Sequence, residues 1–136
     1  MMYVTRKAHF SAAHRLFNPF FSEEKNIEVY DKCANANGHG HNYYLEITVA
    51  GEPDPQTGYI IDLKKLKKII EDYFISKVDH KHLNYDVEFL KGVVPTAENI
   101  AVACWNQLVA QIHEGHLYSV KLFETQNNFV EYKGGE

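Results

Sequence analysis

His39-Gly40-His41-Asn42-Tyr43-Tyr44-Leu45-Glu46-Ile47-Thr48-Val49-Ala50 alternates along its length, with His39, His41, Tyr43, Leu45, Ile47 and Val49 on one parity. Successive side chains of a strand point to opposite faces, so the stretch reads as a half-buried β-strand whose apolar face runs on into two imidazoles. An earlier stretch has the same period. From Tyr3 to His14, the residues Val4, Ala8, Phe10, Ala12 and His14 share one parity, and Thr5, Lys7 and His9 take the other. Between the two, Arg15 to Asn37 has no period, contains Asn18-Pro19 and runs into Asn35-Ala36-Asn37-Gly38. It reads as a long irregular loop, of the kind that is usually functional or mobile.

Downstream, Leu63, Leu66, Ile69, Ile70, Tyr73 and Phe74 recur at three and four between Lys64, Lys65, Lys67 and Lys68. Asp62 to Lys77 is therefore predicted as an amphipathic helix with Asp62 as its N-cap. After a polar segment, Val78 to Leu90, Thr96 can cap a second helix with Glu98 at its positive end and Ile100, Cys104, Leu108 and Ile112 as its stripe. Gly115 suits the stop. Two short strands follow, Leu117 to Glu124 and Asn128 to Lys133, joined around Gln126-Asn127. The order β-β-α-α-β-β predicts an α+β domain, an antiparallel four-stranded sheet with two helices packed on one face. The uncovered face, if apolar residues lie on both parities, must meet another subunit, so a homo-oligomer is expected.

The 136 residues are read as a single domain, 1–136, without repeats. With Lys+Arg 14 against Asp+Glu 18 the net charge is -4, which offers no broad basic face and predicts no nucleic acid partner. Cys33 and Cys104 stand far apart, which implies no disulfide framework and points to a reducing compartment. Met1 to Leu16 lacks the apolar run of a signal peptide, and no segment could span a bilayer. A cytoplasmic protein with no membrane partner is expected.

The chemistry concentrates around His39-Gly40-His41, because alternate strand residues place two imidazoles within reach of one ion. His14 supplies a third if the first two strands pair. Three neutral imidazoles and an open position describe a catalytic zinc site more often than a structural one, and substrate oxygen would take the open position. The alternative is a pair of strand histidines satisfied by hydrogen bonds. His9, His113 and His116 are read as surface residues, and Cys104 as a small core hydrophobe.

Cys33 lies in the irregular loop, either as a thiol close to the metal that serves as a base or as the fourth ligand of a closed site. Asp79-His80 is a candidate proton relay, with Asp79 orienting His80, set against the plainer reading of a helix-end feature; His82 carries that plainer reading too. Glu124 is either a solvated turn carboxylate or a ligand anchor, able to accept from the N–H and NH2 groups of an amino-pyrimidinone ring together.

Phe10-Ser11-Ala12-Ala13-His14-Arg15-Leu16, Cys33 separated by five residues from His39-Gly40-His41-Asn42-Tyr43, Asp79-His80-Lys81-His82-Leu83-Asn84, Pro95-Thr96-Ala97-Glu98-Asn99 and Glu124-Thr125-Gln126-Asn127-Asn128 occur in this order. Together with the ending Glu131-Tyr132-Lys133-Gly134, they resemble the 6-pyruvoyl-tetrahydropterin synthase family across nearly the whole chain. The resemblance implies a tunnelling fold whose subunits join into a barrel-like trimer, with two trimers stacked as a homohexamer and active sites at subunit interfaces. It implies the substrate 7,8-dihydroneopterin triphosphate, its pterin ring held by Glu124 with help from Thr96 and its side-chain hydroxyls on Zn2+ bound by His14, His39 and His41. It also implies catalytic roles for Cys33, as a thiolate that takes a proton, for Asp79 and His80 as the relay, and for Glu124. The activity so implied is a lyase that eliminates triphosphate and needs no organic cofactor.

Within the family the alternative is the 6-carboxy-tetrahydropterin synthase of queuosine biosynthesis, whose cysteine usually stands closer to the histidine pair; the spacing here favours the pyruvoyl enzyme. Other classes remain in view: a non-catalytic zinc-binding module closed by Cys33, and a zinc hydrolase of GTP. Arg15, Lys32 and Lys81 are all candidates for the triphosphate, and none is singled out.

Overall fold

A computed structural model describes residues 1–135 of the chain. The elements are β1 (Met2–His14), α1 (Glu23–Tyr30), β2 (His39–Gly51), α2 (Leu63–Ile70), α3 (Ser76–Val78), β3 (Lys81–His82), α4 (Ala97–Leu108), β4 (His116–Phe123) and β5 (Phe129–Tyr132). They form one sheet of order β3-β1-β2-β4-β5. All neighbours are antiparallel except β3, which runs parallel to β1 at Ala12 and Ala13.

The two alternating stretches pair over their full length, from Met2 opposite Gly51 to His14 opposite His39. A one-residue slip would turn the apolar set outward, so the register is dictated by burial. On the inner face Phe10 stacks on Tyr43 with ring centroids 4.8 Å apart, and Phe74 meets Phe10 edge-on at 5.6 Å. Leu45, Ile47, Val120 and Leu122 continue this layer under Leu66, Ile70, Ile100 and Leu108 from the helices. Asp62 caps α2 by accepting from the Lys64 N–H, and Thr96 caps α4 by accepting from the Asn99 N–H. The opposite face is polar and aromatic: Thr5 bonds Thr48, and His9 lies beside Tyr44, as Phe123 does beside Phe129. Among the described residues, no helix is long and apolar enough to cross a membrane.

The predicted α+β class holds, and three local expectations are corrected. The sheet has five strands because β3, a two-residue strand inside the supposedly polar segment, adds to the edge of β1. That segment also hides Leu83, Val87 and Leu90, all fully buried. The stretch Arg15 to Asn37 is not irregular throughout. It carries α1, capped by Ser22, and a 3-10 turn over Asp31–Ala34. Of α1 only Asn26 is buried, held by two hydrogen bonds with Asn18, so no apolar stripe could announce the helix. The first long helix widens into a π turn at Glu71–Ile75, which rotates its register. Leu63 and Tyr73, expected inside, are exposed, while Ile75 and Val78 take buried positions.

Candidate functional site

The antiparallel register brings the end of β1 against the start of β2, and three imidazoles converge there. One ring nitrogen from each of His14, His39 and His41 lies within 4.8 Å of the others. The ring centroids are 4.5, 5.0 and 4.8 Å apart in pairs. Gly38 makes the approach possible: its φ is +73°, and a Cβ there would stand 2.8 Å from the His14 carbonyl oxygen.

His14 is fully buried, and its Nδ1 lies 2.8 Å from the Pro95 carbonyl oxygen just ahead of α4. A carbonyl only accepts, so Nδ1 carries the proton and Nε2 presents a lone pair. That Nε2 faces His39 Nε2 at 3.0 Å. His41 Nε2 is buried without a hydrogen-bond partner; its nearest carboxylate oxygen, Glu124 Oε1, is 3.7 Å away. Burial holds His14 down to about 4, and burial also lowers His41 against the opposing pull of Glu124. Both rings are thus held in the neutral form that metals bind. A buried orphan nitrogen beside two converging lone-pair donors fits a metal ion and fits little else.

Around this corner the other expected residues fall in two groups. Glu124 belongs to the turn after β4, where its N–H donates to the Asn128 carbonyl, yet its side chain reaches back toward His41. Glu124 and Thr96 line one cavity of about 250 Å³ with Leu16, Ala97, Asn128 and Val130. Cys33 sits half-buried in the 3-10 turn and is not one of the clustered ligands among the described residues. Its carbonyl accepts from the Leu16 N–H at 2.7 Å, which ties the turn to the end of β1. Burial pushes the Cys33 thiol up, and the charges of Glu124 and Asp31 push the same way.

Asp79 and His80 do pair, Nδ1 to Oδ2 at 3.1 Å, but at the sheet edge, where the His80 side chain is 82% exposed. His80 borders an open cleft with Ser11, Gly40, His41, Asn42 and Lys81, whereas Asp79 lines a different one with Lys7, His9 and Glu71.

A family model described as 6-pyruvoyl tetrahydropterin synthase matches residues 3–135. The chain belongs to the 6-pyruvoyl tetrahydropterin synthase family. It is 48% identical over 131 residues to the 6-pyruvoyl tetrahydrobiopterin synthase of Homo sapiens, covering 96% of this chain and 90% of that one. It is 31% identical over 150 residues to the 6-carboxy-5,6,7,8-tetrahydropterin synthase of Rickettsia bellii, covering 96% and 99%. The solved 6-pyruvoyl tetrahydropterin synthase of Caenorhabditis elegans superposes with a TM-score of 0.94 at 41% identity, covering 98% of this chain and 96% of that one. The tunnelling-type chain fold expected from the resemblance is therefore shared with the synthase family.

In this synthase-family chain two further contributors to the histidine corner are Pro95 and Tyr43. Pro95 acts through its carbonyl, which no side-chain pattern announces. Tyr43, whose hydroxyl lies 3.3 Å from His14 Nδ1, shares the inward parity of His41 and could have been found on that ground. His82 is more than a surface residue. Its ring stacks near Tyr85 at 4.5 Å, and its Nε2 lies 3.0 Å from where a Cβ of Gly38 would stand.

Proposed function

We propose that the chain is a zinc-dependent lyase that converts 7,8-dihydroneopterin triphosphate to 6-pyruvoyl-tetrahydropterin with elimination of triphosphate. The observation that carries this reading is the orphaned His41 Nε2, buried beside His14 and His39 and next to a Glu124–Thr96 cavity. Relatives at 48–49% identity bear the pyruvoyl name, and those at 31–32% the carboxy name, which supports the pyruvoyl product.

His14, His39 and His41 would hold the zinc. Bound there, zinc supplies positive charge that polarises the substrate's side-chain hydroxyls and favours the Cys33 thiolate. Glu124 accepts from the ring N–H and NH2 of the pterin, and Thr96 closes the same cavity. Cys33 removes a proton from carbon, and His80, steadied by Asp79, moves protons to and from the side chain. The pterin ring gains the hydrogens that the side-chain carbons lose, so no external oxidant or reductant enters. His80 stands exposed at the sheet edge and does not line the Glu124–Thr96 cavity of its own chain, and this favours active sites shared between subunits of a homohexamer, a dimer of trimers. The cytoplasm is the proposed location.

The test is to incubate purified protein with the triphosphate, identify the pterin by mass and measure metal on the same preparation. One zinc per chain with 6-pyruvoyl-tetrahydropterin and triphosphate is expected. A carboxy-pterin with acetaldehyde would assign the other branch of the family. Metal without turnover would leave a zinc-binding module, and formate released from GTP would point to a hydrolase.

A further inference from the structure

Ser11 lies in β1, and both of its main-chain polar groups reach the sheet edge. Its N–H donates to Asp79 Oδ1 at 2.9 Å, and its carbonyl accepts from the His80 N–H at 2.6 Å. Asp79 Oδ2 lies 3.1 Å from His80 Nδ1, so a single residue of β1 grips both members of the pair. The Ser11 side chain takes no part in this; its hydroxyl donates to Asn42 Oδ1 at 2.7 Å across the ladder.

The grip is held against the preference of the backbone. His80 has φ +60°, a left-handed conformation that residues with a Cβ disfavour. The helix before it widens to the π turn at Glu71–Ile75, after which the Ile75 carbonyl accepts the Asp79 N–H at 2.9 Å and Val78 is buried. All of this fixes a backbone whose imidazole faces solvent, so packing of the ring does not explain it. A strained backbone under an exposed, chemically capable side chain marks a group placed for use.

We propose that Ser11 is a positioning residue for proton transfer by His80. Its N–H locks the Asp79 carboxylate so that Oδ2 accepts the His80 Nδ1–H, which leaves Nε2 as the lone pair that takes and returns the proton. The proposal rests on the relay role given to His80 above.

The comparison is Ser11→Pro against Ser11→Ala. Proline removes the N–H that Asp79 needs, and the Ser11 carbonyl and the β1–β2 ladder stay, because this N–H faces the edge. Alanine removes only the hydroxyl. Metal content, kcat, KM and the His80 tautomer, read from 15N chemical shifts, are measured on wild type and both variants. In wild type and Ser11→Ala the proton is expected on Nδ1, with kcat unchanged within about twofold. In Ser11→Pro it is expected to move toward Nε2, and kcat to fall by about tenfold or more, with KM and metal content unchanged within about twofold. An ester in place of the Phe10–Ser11 amide removes the same N–H should the proline variant not fold. An unchanged tautomer in Ser11→Pro overturns the proposal, as does an equal loss of kcat in Ser11→Ala. If wild type forms no product, the reaction proposed above is overturned, while the tautomer comparison still decides whether Ser11 positions His80.

Discussion

The three-histidine corner and the Asp79–His80 corner both hang on the last residues of β1, and they are built by opposite means. The first is made of side chains: parity aims His14, His39 and His41 inward, and burial with the Pro95 carbonyl holds them. The second is made of main chain: Ser11 grips a left-handed His80 whose ring stays in solvent. The first carries its cost as an unpartnered buried nitrogen, which a cation relieves, and the second as backbone strain, which no ligand of this chain relieves. Loss of a side chain should therefore empty the first corner, whereas the second should respond to backbone changes.

The sharpest separation comes from exchanging ligands. His41→Ala should abolish stoichiometric metal and with it product formation, while His80→Ala should keep full metal content and lose turnover only. Elemental analysis of both variants decides this; metal loss in His80→Ala would mean that the two corners are one site. Cys33→Ala belongs with the second behaviour. It should retain metal and lose turnover by roughly 10²–10⁴-fold, the usual worth of a placed acid or base. Loss of metal would instead make Cys33 a fourth ligand, which the ligand cluster of the folded chain does not support.

The contrast also explains what the sequence made visible. The strand pair, its register and the imidazole triplet were legible because period-two alternation aims side chains, and His14, His39 and His41 obey it. Glu124 could be named only as turn or anchor. The fold puts it in the turn with its carboxylate directed toward His41, a placement that side-chain alternation could not announce because the strand ends there. Asp79-His80 was visible as a dipeptide, but its grip by Ser11 was not: hydrogen bonds from the main chain leave no trace in residue type. α1 escaped for a related reason, being anchored by amide contacts of Asn26 in place of an apolar stripe. The π turn escaped because Tyr73 satisfies a regular helical period that the backbone abandons at Glu71–Ile75.

A smaller effect, on stability, comes from acid. In the metal-free chain the folded His14 titrates near 4, against 6.5 for an ordinary histidine. Below 6.5 the unfolded chain takes up a proton that the folded chain refuses until about 4. The contribution is therefore fully present above 6.5 and is lost as pH falls through that window. At ~1.4 kcal/mol per unit this one buried ring accounts for roughly 3 kcal/mol. Asp79, whose pKa is lowered from 3.8 chiefly by the Ser11 N–H, acts only below that value, whereas His41 and His82, also lowered by burial, add to the loss in the same window and with the same sign. Urea unfolding of the metal-free protein at pH 7.5 and 4.5 checks it, and equal stabilities would remove His14 as the buried anchor of the corner.

The smallest expected change has the opposite sign. Glycine adopts the left-handed conformation of residue 80 without a Cβ penalty, although it also loosens the unfolded chain. His80→Gly should therefore raise unfolding free energy by at most about 1.5 kcal/mol, or leave it unchanged, because relief of strain of ~1–2 kcal/mol is offset by ~0.5–1 kcal/mol of added chain entropy. Because the ring is exposed, its removal leaves no cavity, and metal content should be that of wild type. Turnover should nevertheless fall by roughly 10²-fold or more. A variant at least as stable as its parent, fully metallated and nearly inactive would show that β1 holds His80 in place at the expense of stability. A variant destabilised by about 1 kcal/mol or more would show instead that the imidazole is there to support the fold.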